Sequence, residues 1–345
     1  MQIKQLLLEV QLDQAKLEDF WRRRANQLQF ERSERLFGHL LTVKSNQLEL
    51  LTAVTHLLPL YSQSTHKKRP LGIIQLVVQP SHHSLASVPE NLMQQITYSG
   101  SDDWLMIRLG AWGQAHLDLT DKRATAVLDP QLAARPDLVA QCLLHTLVLN
   151  LIIAQGYGML HASCLLRDDV ALLLLAPHNT GKSTTALRLA LAGYPLLTDS
   201  MVFADETGLH GFPIGTIKLR ADMVPHFPSC QPFLQTELVR SETKYRLDLR
   251  RMGTEFVQET AVQPKKVILC LLARHDMAES VVEDVTETAV TQAILHNSLY
   301  VDQPHIWQQN IANLRELLVG GTAVQLTIGT NPESLQEKVG KLFGY

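Results

Sequence analysis

The run Leu172-Leu173-Leu174-Leu175-Ala176-Pro177-His178-Asn179-Thr180-Gly181-Lys182-Ser183-Thr184-Thr185-Ala186-Leu187 constrains this chain more than any other stretch. The leucines read as a buried strand, Pro177 to Gly181 as a tight loop, and Lys182 onward as the first turns of a helix. Strand, loop and Gly-Lys-Ser in that order make a phosphate-binding loop. A helix start leaves its first backbone N–H groups without intrahelical partners, and the helix dipole favours an anion there. Successive loop amides enlarge that cradle. Asn179, Thr180, Gly181, Lys182, Ser183 and Thr184 are therefore the expected nucleotide contacts. Lys182 would reach the β- and γ-phosphates, and the Ser183 hydroxyl would ligate Mg²⁺. One position departs from the motif. It opens on Gly, this chain has Ala176 there, and alanine tolerates a positive φ poorly.

The rest of the composition narrows the setting. At 345 residues the chain exceeds one average domain, so two domains are expected. A net charge of −3 and a pI near 6.5 leave no basic footprint for nucleic acid. Cys142, Cys164, Cys230 and Cys270 are far apart and lack zinc or redox spacing, so they read as buried or free thiols of a reducing cytoplasm. Met1 to Leu12 carries Lys4 and Glu9 and lacks the apolar core of a signal peptide. The best membrane candidate, Asp137 to Gln155, contains Gln141, His145 and Asn150 and reads as a buried helix. No membrane partner is expected.

In chain order, residues 1–135 mix helix and strand and read as a small α+β domain, and residues 136–345 as the phosphate-loop domain. A strand is expected over Ile3 to Val10 and a helix from Asp13, with Leu17, Phe20 and Trp21 on one face. A helix through Leu48 to Leu57 and a strand over Leu71 to Val78 follow. His82 and His83 read as solvated loop histidines, and three short strands fill Trp104 to Leu128. Met159 to Leu166 is expected to be one strand, Arg167-Asp168-Asp169 a hairpin turn, and Val170 to Leu175 the strand entering the loop. Two strands joined so tightly must be antiparallel, unlike the crossovers of a simple doubly-wound fold. Pro195 to Thr198 is the next strand and delivers Asp199; Pro225 to Glu237 reads as a loop. Strands at Lys266 to Leu272 and Ala323 to Ile328, and helices at Ala289 to Leu299, Pro304 to Leu318 and Glu333 to Leu342, complete the reading.

His161-Ala162-Ser163, the hairpin, Asn179 to Leu187, and Gly193-Tyr194-Pro195-Leu196-Leu197-Thr198-Asp199 together resemble the core of HPr kinase/phosphorylase-like proteins. That family is related in fold to the ATP-dependent phosphoenolpyruvate carboxykinases and includes lasso-peptide kinases with an extra N-terminal domain. The resemblance covers roughly residues 156–330 and is specific from His161 to Asp199; residues 1 to about 150 do not resemble the N-terminal domain of the bacterial HPr kinase. It implies an α/β phosphate-loop kinase core that uses ATP or GTP with Mg²⁺. The phosphoryl acceptor would be a serine or other hydroxyl of a peptide, protein or small molecule. Lys182 and Ser183 match the phosphate and Mg²⁺ positions, and Asp199 matches the first of two adjacent aspartates, a general base or metal-positioning residue. Ser200 stands where the second aspartate belongs, which puts the phosphorylase reaction in question. The resemblance also implies a homo-oligomer, which no feature of the sequence itself demands.

Phosphoryl transfer needs positioning, a metal and nearby cations rather than covalent work by the protein. Asp199 can orient or deprotonate a hydroxyl, and His161, one hairpin before the loop, can support Asp199 through a hydrogen bond. The expected catalytic set is Asp199, His161 and Lys182, with Ser183 and Asp199 at the metal. Lys218, Arg220, Lys244 and Arg246 are candidates for a second phosphate clamp. The alternative reading is a nucleotide-sensing module without turnover, favoured by Ala176 and Ser200.

Overall fold

In a computed structural model, which describes residues 28–58, 69–79, 87–101, 103–177, 179–239, 242–298, 304–318 and 321–344, apolar/polar alternation over the first 151 residues resolves into a seven-stranded sheet. The expected strand at Ile3, the helix over Leu17, Phe20 and Trp21, the pair His82–His83, and His178 lie outside the described residues. Contacts divide the chain after Leu151 into two units.

The first unit holds β1 (Phe30–Leu36), β2 (His39–Ser45), α1 (Thr52–Leu57), β3 (Arg69–Val78), β4 (Ile96–Ser101), β5 (Trp104–Leu109), β6 (Gly113–Asp118) and β7 (Arg123–Leu128). The strand order is β1-β2-β3-β7-β6-β5-β4, parallel across β2, β3 and β7 and antiparallel elsewhere. Period-two burial gives the sheet one apolar face, with Ile107, Leu109, Leu117, Ala126 and Leu128 fully buried. Asn46 ties off β3 by donating to the Val78 carbonyl at 3.0 Å and accepting from its N–H at 2.8 Å. The stretch expected to be a buried apolar helix is helical over Pro136–Ile153, here α2. It is long and apolar enough to cross a membrane, yet 61% of it is buried, with Val139, Leu143, Leu147 and Val148 sealed.

The second unit carries β8 (Gly158–Leu160), β9 (Ser163–Arg167), β10 (Val170–Leu175), α3 (Lys182–Leu191), β11 (Leu196–Asp205) and β12 (Gly208–Ile214). A small sheet follows, made of β13 (Thr216–Arg220), β14 (Leu234–Val239) and β15 (Glu242–Asp248). The chain returns to the main sheet with β16 (Lys266–Arg274), β17 (Val281–Asp284), α4 (Glu287–Asn297), α5 (Pro304–Leu318), β18 (Thr322–Ile328) and α6 (Pro332–Phe343). The main sheet runs β12-β11-β9-β10-β16-β18-β17, with β8 also paired to β11. Among the described strands of this sheet, only β10, β16 and β18 are parallel. The fold is therefore mixed α/β, with three sheets among the described residues.

The expected hairpin is present. Arg167 pairs with Val170, and the two turn residues Asp168 and Asp169 take φ of 48° and 64°. That is the doubly left-handed turn whose twist suits antiparallel strands. Two expectations change. Met159 to Leu166 is not one strand, because His161-Ala162 breaks it into β8 and β9, each pairing a different part of β11. Pro225 to Glu237 is not a plain loop. It forms two 3₁₀ turns, Ala221–His226 and Pro228–Phe233, and then enters β14. All four cysteines are free and buried, and burial pushes the Cys142 thiol up to about 11 and the Cys270 thiol up to about 12, so both stay protonated and inert.

Candidate active site

β10 is buried on both faces between β9 and β16, and it ends at Leu175 on the edge where the parallel strands finish. Open α/β sheets present ligand crevices at that edge. The chain leaves it through Ala176 and Pro177, and the Thr180 N–H and hydroxyl both donate to the Pro177 carbonyl, at 3.4 and 3.0 Å. The loop's left-handed residues are Asn179, at φ 65°, and Gly181, at φ 101°. Ala176 is not among the residues of positive φ, so the missing first glycine strains nothing. The conformational demand instead falls on Asn, which tolerates the left-handed region, and on Gly, which suits it. A Cβ on Gly181 would meet no atom within 4 Å, so the space over the loop is open.

Gly181 caps α3, and the first intrahelical bond runs from the Thr185 N–H to the Gly181 carbonyl at 2.9 Å. No side chain caps this end, and its first turn contains no acidic residue. The N–H groups and the positive end of the helix dipole therefore face the loop with no side-chain cap and no acidic residue in their own turn, as suits an anion site.

Two polar side chains close on the loop from neighbouring strands. His161, in the break between β8 and β9, has its Nε2 3.1 Å from Lys182 Nζ, and its backbone N–H donates to the Asn297 carbonyl at 2.6 Å. An ammonium has only donors, so the imidazole nitrogen facing Lys182 acts as the acceptor when Lys182 is charged. Burial pushes the Lys182 ammonium below its ordinary range, and the Asp199 charge opposes that shift.

Asp199 sits inside β11 rather than at its end. The pairing of β11 with β12 slips between Thr198 and Met201, a bulge that takes in Asp199 and Ser200. Bulges re-aim side chains in this way. Asp199 is 8% exposed, and its carboxylate accepts the Ser163 hydroxyl at 2.5 Å. Burial pushes its carboxyl above the usual carboxylate range, opposed by Lys182 and by hydrogen bonds from Ser163 and Ser183. The fold thus brings Lys182, Ser183, Asp199 and His161 together, with Asn179, Thr180, Gly181 and Thr184 along the same loop and helix start.

Ser163 has a place in this site to which the sequence reading gave no role. Its signal was a hydroxyl in the otherwise apolar run Ala162 to Leu166, because a buried polar group must find a partner. Lys218, Arg220, Lys244 and Arg246 also come together, but on the small sheet. Lys218 pairs with Arg246 and Arg220 with Lys244 across β13 and β15, and Arg220 is engaged by Asp222 at 3.1 Å.

The donor set fits Mg²⁺ bound with a nucleotide rather than a metal held by the protein alone. Among the described residues no group of three or more His, Cys, Asp or Glu side chains could hold an ion. One hydroxyl and one buried carboxylate beside an open anion cradle are what Mg²⁺ uses when phosphates and water supply its other ligands.

No protein-family model and no curated protein matches this chain. Among solved structures it is similar to the Hpr(Ser) kinase/phosphatase from Coxiella burnetii, at 12% identity over 54% of this chain and 99% of that chain, with a TM-score of 0.26. That relation is distant, and the functional reading rests on the geometry above.

Proposed function

We propose that this protein is an ATP- and Mg²⁺-dependent kinase that phosphorylates a serine or other hydroxyl on a peptide, protein or small molecule. The carrying observation is that an uncapped helix start, Lys182 and a buried Asp199 hydrogen-bonded to Ser163 meet at one loop. Mg·ATP, when bound, supplies the γ-phosphoryl group and the cation that screens it. The amides from Asn179 to Thr184 and the Lys182 ammonium bind and orient the phosphates. The Ser183 hydroxyl would ligate the metal, with Asp199 fixing its direction. His161 accepts from Lys182 and keeps that flexible amine over the loop.

A second reading, a nucleotide sensor without turnover, is favoured by one feature. Asp199 is nearly sealed and already engaged by the Ser163 hydroxyl, and Ser200 supplies no second acid. The two readings separate in one assay with γ-labelled ATP and a panel of hydroxyl acceptors. A kinase transfers label to an acceptor, and Lys182→Ala and Asp199→Asn each reduce transfer by about 10²-fold or more. Asp199→Asn should still bind nucleotide. Nucleotide binding with no label reaching any acceptor or water would sink the kinase reading and leave the sensor.

A further inference from the structure

We infer that Ser163 is a positioning residue for the nucleotide–metal site, holding Asp199 in place beside Lys182 and the start of α3. The inference rests on the kinase or sensor reading only in requiring that Mg·nucleotide bind at this loop.

Ser163 opens β9 and is fully buried. Its hydroxyl has a single proton, which goes to Asp199 Oδ1 across 2.5 Å, the range of a charge-assisted O–H···O⁻ bond. Neither partner can turn away freely. Ser163 is fixed by the β9–β10 ladder, where it pairs with Leu174, and Asp199 by the bulge beside Thr198. The Thr198 hydroxyl anchors that bulge by donating to the Pro213 carbonyl at 2.8 Å and accepting from the Ser200 N–H at 3.2 Å. The Ser183 hydroxyl lies near the same carboxylate and helps to stabilise its charge. A Ser183 proton turned towards that carboxylate would leave the lone pairs of its own oxygen for a cation. Ser163 and Asp199 therefore form a bonded hydroxyl–carboxylate pair that links the sheet interior to the neighbourhood of Lys182 and Ser183 in the first turn of α3. Ser163 acts only through Asp199.

The bland alternative is a buried serine satisfied by its nearest acceptor. Metal dependence separates the two, because partners behind a metal ligand typically contribute 10–100-fold to metal affinity. The experiment titrates Mg²⁺ into the full-length protein with a fluorescent ATP analogue and reads binding directly. In Ser163→Ala the Mg²⁺ concentration for half-maximal binding should rise about 10-fold or more, with metal-free nucleotide affinity unchanged. Ser163→Cys keeps the side-chain volume and weakens the donor, so it should fall between Ala and wild type. In an Asp199→Asn background, Ser163→Ala should add almost nothing, because the two substitutions break one bonded pair. An unchanged Mg²⁺ midpoint in folded Ser163→Ala and Ser163→Cys overturns the inference, as does an equal effect in both backgrounds. Wild-type protein that binds no nucleotide in the presence of Mg²⁺ overturns the functional reading as well, and that result precedes any substitution.

Discussion

Two carboxylates of β11, six residues apart, stand in opposite electrostatic situations, and the contrast makes a test. Asp205 Oδ1 accepts from the Thr207 N–H at 2.9 Å, the Thr207 hydroxyl at 2.6 Å and His210 Nε2 at 3.1 Å. Burial alone would raise its carboxyl, but the bonds from His210 and Thr207 outweigh burial and hold it at about 2. That lies below the unfolded value of about 3.9. Asp205 therefore adds stability above pH ~4 that is lost as pH falls towards 2, worth about 1–2 kcal/mol at neutral pH. Asp199 has the reverse sign. Burial holds its folded value above the unfolded one, so its contribution is present below pH ~4 and is lost as pH rises through the folded value. Thermal melts across pH should show Asp205→Asn less stable than wild type at pH 7, with the gap closing between pH 4 and 2. Asp199→Asn should melt at or above wild type at pH 7 while losing phosphoryl transfer. A pH-independent gap for Asp205→Asn, or a marked loss of stability at pH 7 in Asp199→Asn, would show that these environments are misread. A residue that costs stability in the folded state and abolishes function when replaced behaves as an active-site carboxylate does.

At the level of elements, the β9–β10 hairpin decides where the loop begins, because a one-residue slip would turn every β10 side chain to the other face. Its turn places two aspartates in the left-handed region, where non-glycine residues cost roughly 1–2 kcal/mol each. Asp169 also pairs with Lys265 at 2.8 Å, but both partners are exposed and such a pair contributes little. Asp169→Gly should therefore raise stability by about 0.5–1 kcal/mol, read as a higher melting temperature, and Asp169→Val should lower it. If Gly and Val prove equivalent, turn conformation does not control this hairpin. The turn was legible in Arg167-Asp168-Asp169, as were β10, β16 and the start of α3, because continuous apolar runs and Gly-Lys-Ser are local signals. The break at His161-Ala162, the bulge at Asp199 and the exposed strand β17 were not. Each is imposed by the register of a partner strand, and no spacing within the segment encodes it.

For the molecule as a whole, every residue assigned to the candidate site, from His161 to Asp199, belongs to the unit that begins at Ile152. The parallel core β10-β16-β18 gives that unit its crevice edge, and the antiparallel strands β9 and β11 bring Ser163 and Asp199 to the same edge across 36 positions of sequence. That separation is why the loop was legible as a nucleotide site while Ser163 was not: the motif is contiguous, and its support is assembled by sheet order. The first unit contributes none of these side chains. Hydrogen exchange with and without Mg·ATP tests this division of labour. Ligand at about a hundred times its Kd stabilises what it binds by about 2.7 kcal/mol, enough to slow exchange markedly wherever amides open with the site. Slowing is expected at residues 161–163, along 179–187 where the N–H groups face the loop, and at 197–201 around the bulge. Amides of β1 to β7 should exchange as they do in free protein. Slowing in those strands as large as at the loop would mean that nucleotide binding draws on the first unit as well, and the site assigned here would be incomplete.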